Sequence, residues 1–266
     1  FYKTPINNKI LNKIYSNIDN FTFRIKKYRR ILFICGDYPG YGGAATNCNE
    51  LLKFYKNKGH QTFGIYFNWI KTNTSKYFEN NDYCIIDNNK NTFMEKINSF
   101  KPELIILKSF ITFNLKAIVK CPIYYCIGGI YKNSLDKHYE NLELSEQKKF
   151  INNNVLNQIK NSNISFCNSN HTTEILKKKY KLDTEQFYTG FIPYYKKNII
   201  EDNNFDKRKY DYGLIVSNFD RKIKNVEKSI KFLKDKKNVI LIGENSIKYE
   251  KYGFKCIGLV DKDKMG

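Results

Sequence analysis

Residues 31–47 read ILFICGDYPGYGGAATN. Ile31, Leu32, Phe33, Ile34 and Cys35 form an uninterrupted apolar run, as in a strand buried on both faces of a parallel sheet. The chain then turns through Gly36, Pro39, Gly40, Gly42 and Gly43 and enters a stretch with Leu51, Leu52 and Tyr55 on one helical face. A strand that passes through a glycine-rich turn into a helix opens a βαβ unit. The glycines let a phosphate or sugar approach the main chain, and the helix N-terminus adds free N–H groups and a positive dipole end. Gly42 and Gly43 are therefore candidates for holding a phosphate. A tight βα turn without a ligand has the same composition, so both readings stay open on this stretch alone. It lacks a full G-x-G-x-x-G and the Gly-Lys-Ser/Thr ending of a Walker loop, which argues against ordinary dinucleotide binding and NTP hydrolysis.

Outward from this unit, short apolar runs alternate with longer amphipathic stretches, the pattern of a doubly wound α/β sheet. Strands are predicted at 31–35, 62–67, 83–86, 104–107, 123–127, 164–167, 186–189, 212–216, 239–242 and 255–257. Helices are predicted at 45–58, 92–99, 145–161, 171–180 and 226–234. Ahead of the first strand, Ile6, Ile10, Leu11, Ile14 and Ile18 follow helical spacing, so 5–19 is expected to be an amphipathic helix within a lead-in at 1–30. A polar run without periodicity at 196–209 is expected to be a linker. It would separate a Rossmann-like domain at 31–195, with about seven strands, from the first three strands of a second at 210–266. The second domain is expected to be unfinished in this segment. The chain starts on Phe1 and ends on Gly266, as a piece of a longer product would.

With 266 residues, 41% hydrophobic and 16% aromatic, the chain has the material for one or two packed cores, which excludes a disordered, collagen-like or disulfide mini-protein. No run approaches the roughly 20 apolar residues that span a bilayer, and no signal segment opens the chain. Peripheral membrane contact stays open. The formal charge is +20, from 46 basic and 26 acidic residues. Ala occurs only at 44, 45 and 117 while Lys, Asn and Ile abound, so Lys is the default surface residue and the charge is weak support for nucleic-acid binding. Seven cysteines, at 35, 48, 84, 121, 126, 167 and 256, have no metal-ligand spacing, and five sit in or beside apolar runs. They read as buried thiols of a reducing, cytoplasmic compartment. With only three His in the chain, no metal site and no cofactor is expected.

A second constellation spans 212–225, YGLIVSNFDRKIKN, where a strand passes through a basic loop into a helix. Arg221 is one of five arginines. A guanidinium with a nearby ammonium, at a strand end beside a helix start, suits a diphosphate whose leaving charge must be stabilised. Arg221 and Lys224 are the candidates, and Lys222 reads as solvated.

The glycine turn at 36–43, then 166–176 (FCNSNHTTEIL), then Gly190-Phe191-Ile192-Pro193, then the basic loop, occur in the order found in a GT-B glycosyltransferase of the family 4 type. The chain resembles that family from about residue 31 to 266, and its composition resembles that of proteins of giant DNA viruses, whose host cytoplasm or viral factory would then be its location. The resemblance implies two Rossmann-like domains, with the acceptor held by the first, the nucleotide-sugar donor by the second, and the chemistry in the cleft between them. It implies that Gly42 and Gly43 lie beside the donor phosphates and that Arg221 and Lys224 neutralise the diphosphate. Gly243 resembles the family's next glycine turn, and Gly258 to Val260 the segment against the nucleotide base, which adds Gly258 and Val260 as nucleotide-binding candidates. Two departures stand out. Gly128 and Gly129 occupy the place where the family commonly has a His near the reacting sugar, and His138, about ten residues on, reads as a helix-surface residue. The family's paired Glu motif would lie beyond Gly266, and Glu244 and Glu250 have neither its place nor its spacing. The catalytic residue is thus unassigned.

The expected activity is sugar transfer from a nucleotide-sugar donor to a hydroxyl of a glycan, protein or lipid acceptor, retaining and metal-independent. A non-catalytic nucleotide- or glycan-binding remnant of the same fold is the alternative. A nucleic-acid-binding protein is the third reading, disfavoured because the aromatic residues fall in core strands and are not interleaved with basic ones on one surface.

Overall fold

A computed structural model describes residues 16, 19–36, 42–67, 82–86, 89–108, 111–128, 142–187, 213–216, 219, 226–234 and 239–260. The chain divides into two compact units, Phe1–Tyr195 and Lys196–Gly266.

In unit 1 the apolar runs become β1 (Arg30–Cys35), β2 (Gln61–Phe67), β3 (Tyr83–Ile86), β4 (Leu104–Lys108), β5 (Ile123–Ile127), β6 (Ile164–Cys167) and β7 (Glu185–Gln186). They form one parallel sheet in the order β3-β2-β1-β4-β5-β6-β7. The helices are α1 (Gly42–Asn57), α2 (Lys90–Phe100), α3 (Leu142–Lys160) and α4 (Asn170–Tyr180). Every residue of β4 and β5 is buried, which accounts for their unbroken apolar runs.

Two layers of packing cover the sheet. On one face Ala45, Cys48, Leu51, Leu52 and Tyr55 of α1 meet Ile31, Phe33, Cys35, Leu104, Ile106 and Cys126. Helical residues 19–25 add Phe21, whose ring stacks on Phe187 at 4.2 Å and meets Phe166 edge-on at 5.1 Å. On the other face Phe93 and Ile97 of α2, Val155 and Ile159 of α3 and Leu176 of α4 cover Leu32, Ile34, Ile105, Leu107, Tyr125 and Cys167.

The helix ends follow local chemistry. Gly59, at φ 90°, ends α1 in a left-handed turn whose next N–H, that of His60, donates to the Tyr55 carbonyl at 3.1 Å. Asn89 caps α2 by accepting from the N–H groups of Asn91 and Thr92, and Ser169 caps α4 by accepting from Thr172.

Unit 2 holds β8 (Gly213–Val216), β9 (Val239–Ile242) and β10 (Lys255–Gly258), parallel in the order β10-β9-β8, with α5 (Val226–Leu233). Its core joins Phe219, Val226, Ile230, Val239, Leu241, Tyr249 and Phe254. The architecture is α/β with Rossmann-like parallel sheets, as the alternating pattern predicts. Two short 3-10 segments, Leu115–Ala117 and Ser246–Tyr252, were not anticipated. The expected helix at 5–19 and linker at 196–209 lie almost wholly outside the described residues, as do 188–189 of the predicted strand at 186–189.

Candidate functional site

The strand order of unit 1 locates a crevice. From β1 the chain moves outward to β2 and β3 on one side, then returns to β4 on the other side of β1. Connections on opposite faces leave a gap outside the carboxyl ends of β1 and β4, the topological switch point where open α/β sheets bind ligands.

Four strand ends rim this edge. After β1 the chain enters α1 at Gly42, with 37–41 outside the described residues. Gly43 lies exposed in the first turn of α1, and a Cβ added there would meet nothing within 4 Å among the described residues. The first turn of α1 carries no acidic residue, so its positive end is not neutralised from within.

Lys108, the last residue of β4, was missed in the sequence. It is 4% exposed and is the one charged side chain among the buried residues described. Its register partners are Cys35 in β1 and Cys126 in β5. Both belong to the face that packs under Ala45 and Cys48 of α1, so Lys108 lies beneath the start of that helix. Burial pushes the Cys126 thiol up to about 11, and the Lys108 ammonium works against that rise. On the same face Tyr66 is raised by burial first and then by the nearby Cys48 and Cys35 thiols. Burial thus favours the neutral forms of the Cys126 thiol and the Tyr66 hydroxyl on this face. Its one trace in the sequence is that the run Leu104-Ile105-Ile106-Leu107 ends on a cation where a small turn residue is usual.

The next two strand ends are tied together. Asn168, after β6, donates from Nδ2 to the Gly128 carbonyl after β5 at 2.8 Å. Gly128 is exposed, and among the described residues a Cβ there would meet nothing within 4 Å. The bond fixes where the chain leaves β5 towards Gly129 and His138, which lie outside the described residues.

In unit 2 the structure brings two of the predicted glycines together. Gly243, after β9, donates its N–H to the Gly258 carbonyl at 2.7 Å, and Gly258 N–H donates to Oγ of the fully buried Ser246 at 3.0 Å. Both glycines have positive φ, 137° and 76°. Their N–H groups are thus engaged inside the fold and hold the turn after β9 against the end of β10. Val260 follows this turn, half-buried. Phe219, two residues before Arg221, is buried; its N–H donates to the Glu244 carbonyl at 3.1 Å, and its carbonyl accepts from Lys248 Nζ at 3.4 Å. Phe219 is therefore anchored beside the turn after β9, whereas Arg221 and Lys224 lie outside the described residues. Among the described residues no group of three or more His, Cys, Asp or Glu could hold a metal ion, and no helix is long and apolar enough to cross a membrane.

No protein-family model matches the sequence. No curated protein matches it either. Solved structures do match in fold. An alpha-glucosyltransferase in complex with UDP-glucose and DNA containing an abasic site aligns with a TM-score of 0.55 and 12% identity, over 85% of this chain and 60% of that one. WaaG, a glycosyltransferase involved in lipopolysaccharide biosynthesis, aligns with a TM-score of 0.53 and 12% identity, over 88% and 71%. The UDP-N-acetylglucosamine 2-epimerase from Rickettsia bellii aligns with a TM-score of 0.51 and 15% identity, over 88% and 69%. The chain thus spans between 60% and 71% of the length of these three structures. At such identities the likeness shows the fold alone, and that fold is the GT-B type shared by glycosyltransferases and nucleotide-sugar epimerases.

Proposed function

We propose that this chain belongs to a sugar-transferring protein that takes a nucleotide-activated sugar, of the GT-B family 4 type. The observation that carries the reading is the pair of Rossmann-like units, the first with its strand order reversing between β1 and β4. Support comes from the fold neighbours, one of which is described with UDP-glucose and another as a lipopolysaccharide glycosyltransferase. The Lys-, Asn- and Ile-rich composition is the support for a viral source.

In this reading unit 1 positions the acceptor hydroxyl and unit 2 holds the nucleotide. Arg221 and Lys224 take up the charge that develops on the departing diphosphate, a role that basic side chains fill without a metal. The anchoring of Phe219 to Glu244 and Lys248 serves this step, because a leaving-group clamp works only when its loop is held in place before the reaction. The rigid turn of Gly243, Ser246 and Gly258 shapes the floor against which Val260 would meet the base. The anomeric configuration is retained. The epimerase likeness supports a second reading, interconversion of a nucleotide sugar without an acceptor.

Calorimetry with UDP, GDP and their sugars, comparing the chain with Arg221→Ala, tests the shared element of both. One nucleotide series should bind, with affinity reduced about 10- to 100-fold in the variant, the range of a lost charge-assisted contact. Absence of nucleotide binding, or equal binding by the variant, would overturn the proposal. Product analysis then separates transfer to an added acceptor from epimerisation of the donor.

A further inference from the structure

The amino edge of the unit 1 sheet, at the opposite ends of the strands from the crevice, carries a regular pattern of charge. Six strands are entered past an exposed cation: Lys58 before β2, Arg29 before β1, Lys101 before β4, Lys120 before β5, Lys160 before β6 and Lys181 before β7. These strands are neighbours in the order β2-β1-β4-β5-β6-β7, so the six cations fall in a row. At about 4.8 Å between strands the row is roughly 24 Å long. Hydrogen bonds hold its segments side by side. The Gln61 N–H donates to the Arg29 carbonyl at 2.8 Å, the Glu103 N–H to the Arg30 carbonyl at 2.9 Å, and the Asn163 N–H to the Ile123 carbonyl at 2.9 Å. Of the acids described in the segments that enter the strands, Asp82 pairs with Lys56, Glu103 with Arg30 and Glu185 with Arg24, while Asp183 is exposed. None of the six cations is in an ion pair among the described residues. At the other edge the described residues that leave β1, β5 and β6 are Gly36, Gly128 and Asn168, all uncharged.

Helix dipoles favour cations at helix C-termini, and a Lys-rich surface supplies them. Neither cause accounts for the backbone at Lys101 and Lys181. Both are left-handed, at φ 51° and 55°, as the C-caps of α2 and α4. A long side chain is strained in this region, where glycine or asparagine is the usual occupant. Asparagine abounds in this chain and takes the same conformation at Asn245, with φ 60°. Composition therefore does not force lysine into the two caps. What lysine adds at both is a charge in the row.

We infer that the amino edge of unit 1 is a docking surface for a single-stranded nucleic acid, held through its phosphates without regard to base sequence. The inference goes beyond sugar transfer and does not rest on it. A row of cations meets successive phosphates of a linear polyanion. Sheet twist turns each strand by about 20–25° from the last, so the strand ends trace a curved path. A flexible single strand follows such a path, whereas a duplex is stiff over about 150 base pairs. An anionic membrane is less well matched, because docking on lipid sets apolar side chains beside the cations. Here the rings of Tyr28, Phe54 and Tyr180 are half-buried, with the ammonium groups of Lys27, Lys58 and Lys179 over them at 5.1, 5.6 and 5.4 Å.

The test follows binding of a fluorescent oligothymidylate, about 20 nucleotides long, to the full chain by anisotropy across a salt series. Lys101→Asn combined with Lys181→Asn is compared with Lys90→Gln combined with Lys96→Gln, which removes two exposed charges from earlier in α2. Asparagine suits the left-handed caps, so the first pair should melt no lower than the parent, and lost binding is then not lost folding. The parent should bind with an affinity that falls steeply as salt rises. The Asn pair should bind about tenfold more weakly at about 0.1 M salt, and its slope of log K against log salt should be shallower by about 1.4, from two contacts of about 0.7 each. The Gln pair should stay within about twofold of the parent. The inference is overturned if the parent does not bind the oligonucleotide, if the Asn pair binds it as the parent does, or if both pairs weaken it equally. Tighter binding of a duplex, or of vesicles containing phosphatidylserine, with the same dependence on Lys101 and Lys181, would also overturn it and assign the row to that partner.

Discussion

The two sheets begin alike and then part. In unit 1 the first three strands run β3-β2-β1, and in unit 2 they run β10-β9-β8, so each unit opens with strands added successively in one direction. Unit 1 then crosses back over β1 to add β4 to β7, while among the described residues of unit 2 no strand lies beyond β8 in the sheet. The burial follows. In unit 1, β1 is buried from Ile31 to Cys35 and β4 and β5 throughout. In unit 2 the strands alternate, with Val216 52% exposed and Ile257 46% exposed. The difference teaches that the glycine turn alone does not make a site. A crevice needs the second half-sheet, and among the described residues only unit 1 has one.

The contrast can be broken at its cores. Phe21 is the point where the residues ahead of β1 lock onto the sheet, through Phe187, Phe166, Tyr55 and Tyr124. Phe21→Ala should cost about 3–5 kcal/mol, read as faster hydrogen exchange in β1 and β5. Unchanged exchange would mean that the aromatic cluster does not hold unit 1 together. Leu241→Ala removes a fully buried side chain from the smaller core of unit 2 and should cost about 2–4 kcal/mol, read in the amides of β9.

Smaller changes sharpen the picture at the site edge. Ser169→Ala removes the cap of α4 next to Asn168 and should cost about 1 kcal/mol in denaturant melts. At the opposite end of the sheet, Glu103 accepts from Arg29 N–H and pairs with Arg30 at 2.9 Å. The Arg29 N–H, followed by Arg30, holds its carboxyl below the ordinary value. A depressed carboxyl stabilises the fold above its unfolded pKa, and the effect is lost as pH falls through the folded value. Glu103→Gln should therefore melt slightly lower than the parent at neutral pH, with the gap closing as the pH falls through the folded value. A gap that stays constant would locate the effect in packing.

The strands were legible because their runs are bounded by turn residues, as at Gly36 after β1 and at Pro102 before β4. Helix α1 was legible from Leu51, Leu52 and Tyr55, although its start at Gly42 precedes the predicted one, because Gly42 and Gly43 carry no apolar pattern. Lys108 was not legible. In a chain where Lys is the commonplace surface residue, only the register with Cys35 and Cys126 shows that this one is inside. The pairing of Gly258 with Gly243 and Ser246, and of Asn168 with Gly128, was hidden for the same reason: each joins residues 12 or more positions apart through a tertiary fold that no local pattern encodes. In the sequence Gly243 resembles a glycine turn and Gly258 part of a segment against a nucleotide base; the structure adds that their N–H groups hold that turn together.

The most direct measurement is hydrogen exchange across the whole chain with and without a nucleotide sugar such as UDP-glucose. The account predicts protection at the first turn of α1 around Gly43, at the end of β4 around Lys108, and in the basic loop containing Arg221 and Lys224. Protection absent from all three segments, or confined to surfaces away from the strand ends, would contradict it.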